Sequence, residues 1–197
     1  MPRFYARFLN RSNSDPQKSR RRFGRVSEAK QETRVKLYVF DADGTLRRSV
    51  VPGQPCPNRP GDWELIPGVR ERLAEFDWGP DGVSFGVASN QGGVGLGYMK
   101  LSAARLLLAD MVVAAFGVMP PPGSIEVCPH APHLGCPCRK PEPLMLQRLM
   151  RRFHASPAET LFVGDMDKDE EAARRAGTRF MWSHEFFGWD GKSAYEV

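Results

Sequence analysis

Tyr38-Val39-Phe40-Asp41-Ala42-Asp43-Gly44-Thr45-Leu46 decides the fold. The apolar run from Leu37 to Phe40 stops abruptly at two carboxylates, a glycine and a hydroxyl. A short β-branched and aromatic run bounded by a turn predicts a strand buried in a parallel sheet. Asp41 and Asp43 then stand at its carboxyl end, the edge of an open α/β sheet where ligands bind. Two acids separated by one residue suit a nucleophile, Asp41, beside a proton shuttle, Asp43. Taken alone, the same letters also describe a strand followed by an Asp-Gly turn, so the rest of the chain must decide.

Working outward, four more runs predict strands: Val83–Ala88, Ile125–Cys128, Leu161–Gly164 and Arg179–Trp182. Between them lie helical patterns. One opens at Pro67-Gly68 and runs through Phe76. A second covers Ala103 to Phe116, capped by Ser102, stopped by Gly117, with Leu106, Leu107, Met111, Val113 and Ala114 toward the core. Others cover Pro143 to His154 and the stretch from Asp169 to Gly177, while Ser156–Glu159 has the spacing of one capped turn. Strands alternating with helices predict a doubly wound parallel sheet. Arg47 to Ile66 is rich in Pro and Gly and predicts a long loop over the mouth of the site, with Asp62–Leu65 as a short strand or a pinning contact. The tail from Ser183 carries no reading.

With 197 residues, 41% of them hydrophobic, the chain can fill one sizeable core, and no apolar run reaches membrane-spanning length. A cytoplasmic monomer is expected. The charge is uneven. Residues 1–34 hold ten lysines and arginines against three acids, a surplus of seven, so the remainder of a +5 chain carries −2. This basic segment lacks apolar periodicity and reads as disordered, with residues 35–197 as the folded domain. Phe4, Tyr5, Phe8 and Phe23 among its arginines would suit nucleic-acid contact; an Arg-rich, acid-poor start also suits a transit peptide.

Cys128-Pro129-His130 and Cys136-Pro137-Cys138 gather three thiols and an imidazole into eleven residues. That donor set suits a closed, structural Zn²⁺ site, in which His133 could stand in for His130. Lys140, beside this loop, can neutralise a nucleophilic carboxylate and a bound phosphate, and Arg139 adds forked donors. The Gly-rich end of the second strand, Ser89-Asn90-Gln91-Gly92-Gly93-Val94-Gly95-Leu96-Gly97, offers hydroxyl, amide and backbone donors to an anion.

These segments, in this order, resemble a known family. Asp41-Ala42-Asp43-Gly44-Thr45 resembles the DxDGT/V signature of haloacid dehalogenase-like phosphatases. Ser89 to Val94 looks like the SNQ/TNQ-x-G-(I/V) segment of histidinol phosphatases, heptose bisphosphate phosphatases and polynucleotide 3′-phosphatases. The run C-x-H-x₅-C-x-C-R-K-P from Cys128 to Pro141 resembles the zinc loop and third motif of the capless histidinol and heptose bisphosphate phosphatases. Its x₅ spacing is closer to the former. Gly164-Asp165, followed after three residues by Asp169, resembles GDxxxD, with Met166 where heptose phosphatases tend to place lysine. The resemblance spans Val35 to Trp182.

It implies a HAD-like sheet without a large cap and Mg²⁺-dependent phosphomonoester hydrolysis through an aspartyl-phosphate. Asp41 would be the nucleophile and Asp43 the acid and base. Thr45, Ser89, Asn90, Arg139 and Lys140 would hold the phosphoryl group. Asp41, the Asp43 carbonyl and Asp165 would hold Mg²⁺, with Asp169 ligating or orienting. A small phosphorylated metabolite such as heptose bisphosphate or histidinol phosphate is the expected substrate. The alternative is the 3′-phosphate end of a polynucleotide, which the basic segment and Asp62-Trp63 suit. A non-catalytic zinc-stabilised binding module is a third reading.

Overall fold

The computed structural model describes residues 33–54, 56–79 and 81–190. The basic segment expected over residues 1–34 lies, up to residue 32, outside them. In chain order the elements are β1 (Leu37–Phe40), β2 (Arg47–Ser49), β3 (Trp63–Leu65), α1 (Val69–Leu73), β4 (Ser84–Asn90), α2 (Gly92–Gly95), α3 (Leu101–Phe116), β5 (Ile125–Cys128), α4 (Leu144–Arg152), β6 (Thr160–Gly164), α5 (Asp167–Ala176), β7 (Arg179–Trp182) and α6 (Ser183–Phe187). Single 3₁₀ turns occupy Pro132–Leu134 and Pro157–Glu159.

Five strands pair in parallel in the order β5-β4-β1-β6-β7. The chain leaves central β1 toward β4 and β5, then returns to the other side for β6 and β7. The order therefore reverses beside β1, which opens a crevice outside the carboxyl ends of β1, β4 and β6. Strand alternation separates two cores. Phe40, Phe85, Val87, Leu161 and Val163 face Val69, Leu73, Leu108, Met111, Val112 and Phe186 of α1, α3 and α6. Leu37, Val39, Ala88 and Phe162 face Met145, Leu146, Leu149, Ala172 and Ala173 of α4 and α5. The inner strands β1, β4 and β6 are buried on both sides, which is why their sequences read as near-continuous apolar runs.

Some expectations shift. The Pro/Gly-rich loop is rooted in a two-stranded antiparallel ribbon, β2 with β3, closed by Arg48 on Glu64 at 2.8 Å. Of the described residues between the two strands, 50–54 and 56–62 carry no regular element. The first helix ends at Leu73 rather than Phe76, where the Trp78 indole takes the Leu73 carbonyl at 2.7 Å. Helix α3 begins at Leu101 with Lys100 in the capping position, so Ser102 lies inside it, whereas Gly117 does end it, at φ 70°. Its inward face is Ala104, Leu107, Leu108, Met111, Val112 and Ala115; Leu106 and Val113 are exposed. The tail from Ser183 forms α6, which seats Phe186 against Tyr38, Phe40 and Phe76. Among the described residues no helix is long and apolar enough to cross a membrane.

Candidate active site

Asp41 follows β1 directly and its backbone N–H donates to the Val163 carbonyl at 2.9 Å, so the nucleophile candidate is held by the sheet itself. A cavity of about 1070 Å³ opens over this edge, lined by Asp41, Asp43, Ser89, Asn90, Asp165 and the ribbon tip from Ser49 to Gln54, with Met166 and Lys168 opposite. Lys140 Nζ lies 2.5 Å from Asp41 Oδ1 and 2.8 Å from Asp169 Oδ1, fully buried. Burial alone would lower its pKa, but Asp169 and Asp41 hold it well above the ordinary lysine value. The lysine is thus a fixed cation at the nucleophile candidate.

Asp41, Asp165 and Asp169 bring carboxylate oxygens within 4.8 Å of one another. Burial, then the charges of Asp41 and Asp169, push Asp165 up to about 8 from its usual 3.8. A carboxyl raised in this way favours the proton-bound folded form. The stability it lends is full below about 3.8 and is lost as pH rises through about 8. Metal-free protein should therefore melt at a lower temperature near pH 8 than near pH 5, and millimolar Mg²⁺ should flatten the difference. A metal-free melting temperature that rose over this interval would contradict the crowding of the three acids. Gly164 makes the crowding possible, since a side chain there would meet the Asp169 Cβ at 2.5 Å.

The other expected residues fall into two groups. Ser89 faces the cavity, 1% exposed, and its oxygen accepts from Gln91 Nε2 at 2.8 Å, leaving its own O–H to donate. Thr45, Asn90 and Arg139, expected on the phosphoryl group, are otherwise engaged. Thr45 is fully buried and donates to Asp165 Oδ1 at 3.2 Å. The Asn90 amide clamps the Lys140 backbone at both ends, accepting from its N–H at 3.0 Å and donating to its carbonyl at 3.1 Å. Arg139 turns to the His130 carbonyl at 3.3 Å and lies over Gly92. Asp169 orients rather than opens to the cavity: Oδ2 takes the Met166 N–H at 3.1 Å, closing the start of α5, and Oδ1 holds Lys140.

Two residues escaped the sequence reading. Gln91 donates to both Asp43 Oδ2, at 2.9 Å, and Ser89. Arg47 Nε donates to Asp43 Oδ1 at 2.8 Å. Gln91 sits inside the quoted Ser89-Asn90-Gln91 string, so position could have marked it; nothing local distinguishes Arg47 from Arg48. Cys56 also lines the cavity. Burial, then Asp43 and Asp41, push its thiol up to about 11, so it stays neutral.

Cys128, His130, Cys136 and Cys138 form one group within 4.8 Å. Sulfur–sulfur distances are 3.5 and 3.6 Å, and His130 Nδ1 lies 3.3 Å from Cys138 Sγ. His133 belongs to the exposed 3₁₀ turn, outside the group. Of the glycines after Ser89, Gly95 serves this loop: a side chain there would strike the Ala131 nitrogen at 2.4 Å, so its close approach is to the Cys/His loop rather than to an anion.

Residues 137–183 match the HAD-hydrolase-like family model. Over 145 residues the chain is 30% identical to the D-glycero-beta-D-manno-heptose-1,7-bisphosphate 7-phosphatase of Pseudomonas putida, covering 74% of this chain and 80% of that protein. For the phosphatase of the same name from Pseudomonas aeruginosa, identity is 35% over 141 residues, covering 70% and 75%. The crystal structure of D,D-heptose 1,7-bisphosphate phosphatase from B. bronchiseptica, complexed with magnesium and phosphate, matches with a TM-score of 0.60 and 27% identity, covering 74% of this chain and 79% of that one.

Proposed function

The chain belongs to the haloacid dehalogenase-like phosphatases, in the group that holds the heptose bisphosphate phosphatases, and from that premise we propose that it hydrolyses a phosphomonoester of a heptose bisphosphate. The observation that carries the chemistry is the buried Lys140 at 2.5 Å from Asp41, beside Ser89 and Asp165 in one cavity. Lys140 pairs with Asp41 and holds it poised toward an incoming phosphorus. Asp41 attacks in line: the Asp41 oxygen–phosphorus bond forms, the ester P–O bond breaks, and Asp43 gives its proton to the leaving alkoxide. Water then attacks the aspartyl-phosphate, returns a proton to Asp43 and frees Asp41. The Ser89 hydroxyl and the Lys140 ammonium hold phosphoryl oxygens, while Asn90, Thr45 and Asp169 fix Lys140 and Asp165 in place.

The donor set of Asp41 and Asp165, to which the Asp43 carbonyl would add, fits a hard cation: the two carboxylates are gathered and mutually repelling, and a divalent ion relieves that repulsion. Bound there, Mg²⁺ would supply charge shielding for the substrate and for the phosphoryl group in transfer. For the thiol loop, a tetrahedron with Zn–S bonds of about 2.3 Å has edges of about 3.8 Å, close to the sulfur spacings, so Zn²⁺ fits with no open position. Thiols gathered in this way suit a reducing compartment, and the cytoplasm is the location proposed.

The test is phosphate release with Mg²⁺ from heptose 1,7-bisphosphate, histidinol phosphate and a 3′-phosphorylated oligonucleotide in parallel. The proposal expects kcat/KM for the heptose ester to exceed the others by at least about 10²-fold, the scale of one or two well-placed contacts. Preference for the oligonucleotide would overturn the substrate and bring residues 1–34 into the site.

A further inference from the structure

Arg47 has no place in the reaction as derived, yet it is a fully buried arginine. Its Nε donates to Asp43 Oδ1 at 2.8 Å and its Nη1 to the Leu107 carbonyl of α3 at 3.1 Å, and the guanidinium lies 5.8 Å from the Trp63 ring of β3. Nη2 is buried and has no partner among the described residues. Burying a guanidinium with one nitrogen unpaired is costly, and an apolar side chain of similar volume would fill the space at less expense. An orphaned buried donor calls for a reason beyond packing. Among the described residues the one carboxylate this arginine meets is Asp43, which in the proposed reaction presents a proton to the leaving group.

We propose that Arg47 is a positioning residue for Asp43: it fixes the carboxyl in the orientation that faces the leaving group. Arg47 can only donate, so it holds Oδ1 as an acceptor. Gln91 reaches Oδ2 from the Ser89 side, which keeps that oxygen beside the phosphoryl group. The guanidinium cannot follow Asp43 into the cavity, because Leu107 and Trp63 anchor it and its own backbone closes a tight turn, N–H to the Ala42 carbonyl at 3.0 Å and carbonyl from the Gly44 N–H at 2.8 Å. Arg47 also begins β2, so the ribbon that roofs the cavity and the proton donor share one anchor.

The inference rests on the phosphatase reading and predicts a loss that depends on the leaving group. An alkoxide needs a proton as the P–O bond breaks; p-nitrophenolate barely does. With Mg²⁺ present, Arg47→Met is expected to lose kcat/KM by about 10²-fold on an alkyl phosphate, within the span of general acid catalysis, and by less than about 5-fold on p-nitrophenyl phosphate. Arg47→Lys, which keeps the charge without the fork, should fall between Arg47→Met and wild type on the alkyl ester. Asp43→Asn sets the full size of the split. Should Arg47→Met fail to fold by thermal melting, Arg47→Lys carries the comparison. Equal losses on both esters, or no loss on either, overturn the positioning role and leave the phosphatase reading standing. A wild-type chain inert toward both esters defeats that reading and this inference with it.

Discussion

Asp41→Asn is expected to abolish turnover while leaving the metal-free protein at least as stable as wild type. The loss should reach on the order of 10⁴-fold or more in kcat, because a carboxamide cannot form the acyl phosphate and deletion of a covalent nucleophile removes the step that the other groups serve. The second half of the expectation follows from charge. Asp41, Asp165 and Asp169 crowd within 4.8 Å around Lys140, three acids to one base. Neutralising Asp41 leaves Asp169 paired with Lys140 and removes one of the charges that hold Asp165 up to about 8. Thermal melts of both proteins without metal, then with Mg²⁺, check the pair of claims. The variant should melt no lower than wild type without metal and gain less from Mg²⁺. A variant that kept a tenth of wild-type turnover would exclude Asp41 as nucleophile. A variant that unfolded would mean Asp41 serves the fold through Lys140.

The parts of this site legible in the sequence are those that secondary structure delivers by rule. Residues Leu37–Phe40, Ile125–Cys128 and Arg179–Trp182 form strands over the expected spans, and each chemical run sits at a strand's carboxyl end because the sheet is parallel throughout. Helix α3 was harder. Apolar residues occur nearly all round it, so its periodicity does not say which face is buried, and the expected set wrongly included Leu106 and Val113. Side-chain direction was the larger gap. Ser89, Asn90 and Gln91 are consecutive, but Ser89 faces the cavity, Asn90 turns to the Lys140 backbone 50 positions along the chain, and Gln91 bridges Ser89 to Asp43. Thr45 and Asp165 meet across 120 positions. Arg47 was illegible for a physical reason: arginine is rarely buried without a partner, and its partner Asp43 was already assigned to chemistry.

Loss of the zinc proposed for the Cys/His loop should cost folding and activity together, and more than any surface change. Cys128 ends β5 and is fully buried, Cys138 is 6% exposed, and both belong to the core beneath α4 and α5. Two residues past Cys138, Lys140 reaches Asp41, so the loop closed by the cysteines and His130 also sets the cation of the active site. Structural zinc binds with apparent energies of about 10–16 kcal/mol in small peptides, and folding draws on that energy. If removing it costs even about 4 kcal/mol, the melting temperature of a domain this size falls by roughly 8–16 °C. Cys128→Ser should show that fall, with soluble yield reduced and turnover lost in proportion to the unfolded fraction. A strong chelator should do the same to wild type, and added Mg²⁺ should not restore it, because the two sites take different donors. Elemental analysis should find about one zinc per chain in wild type and none in the variant. If chelated protein melted at the temperature of untreated protein, the four side chains would be holding the loop without a metal, and Lys140 would owe its place to Asn90, Asp41 and Asp169.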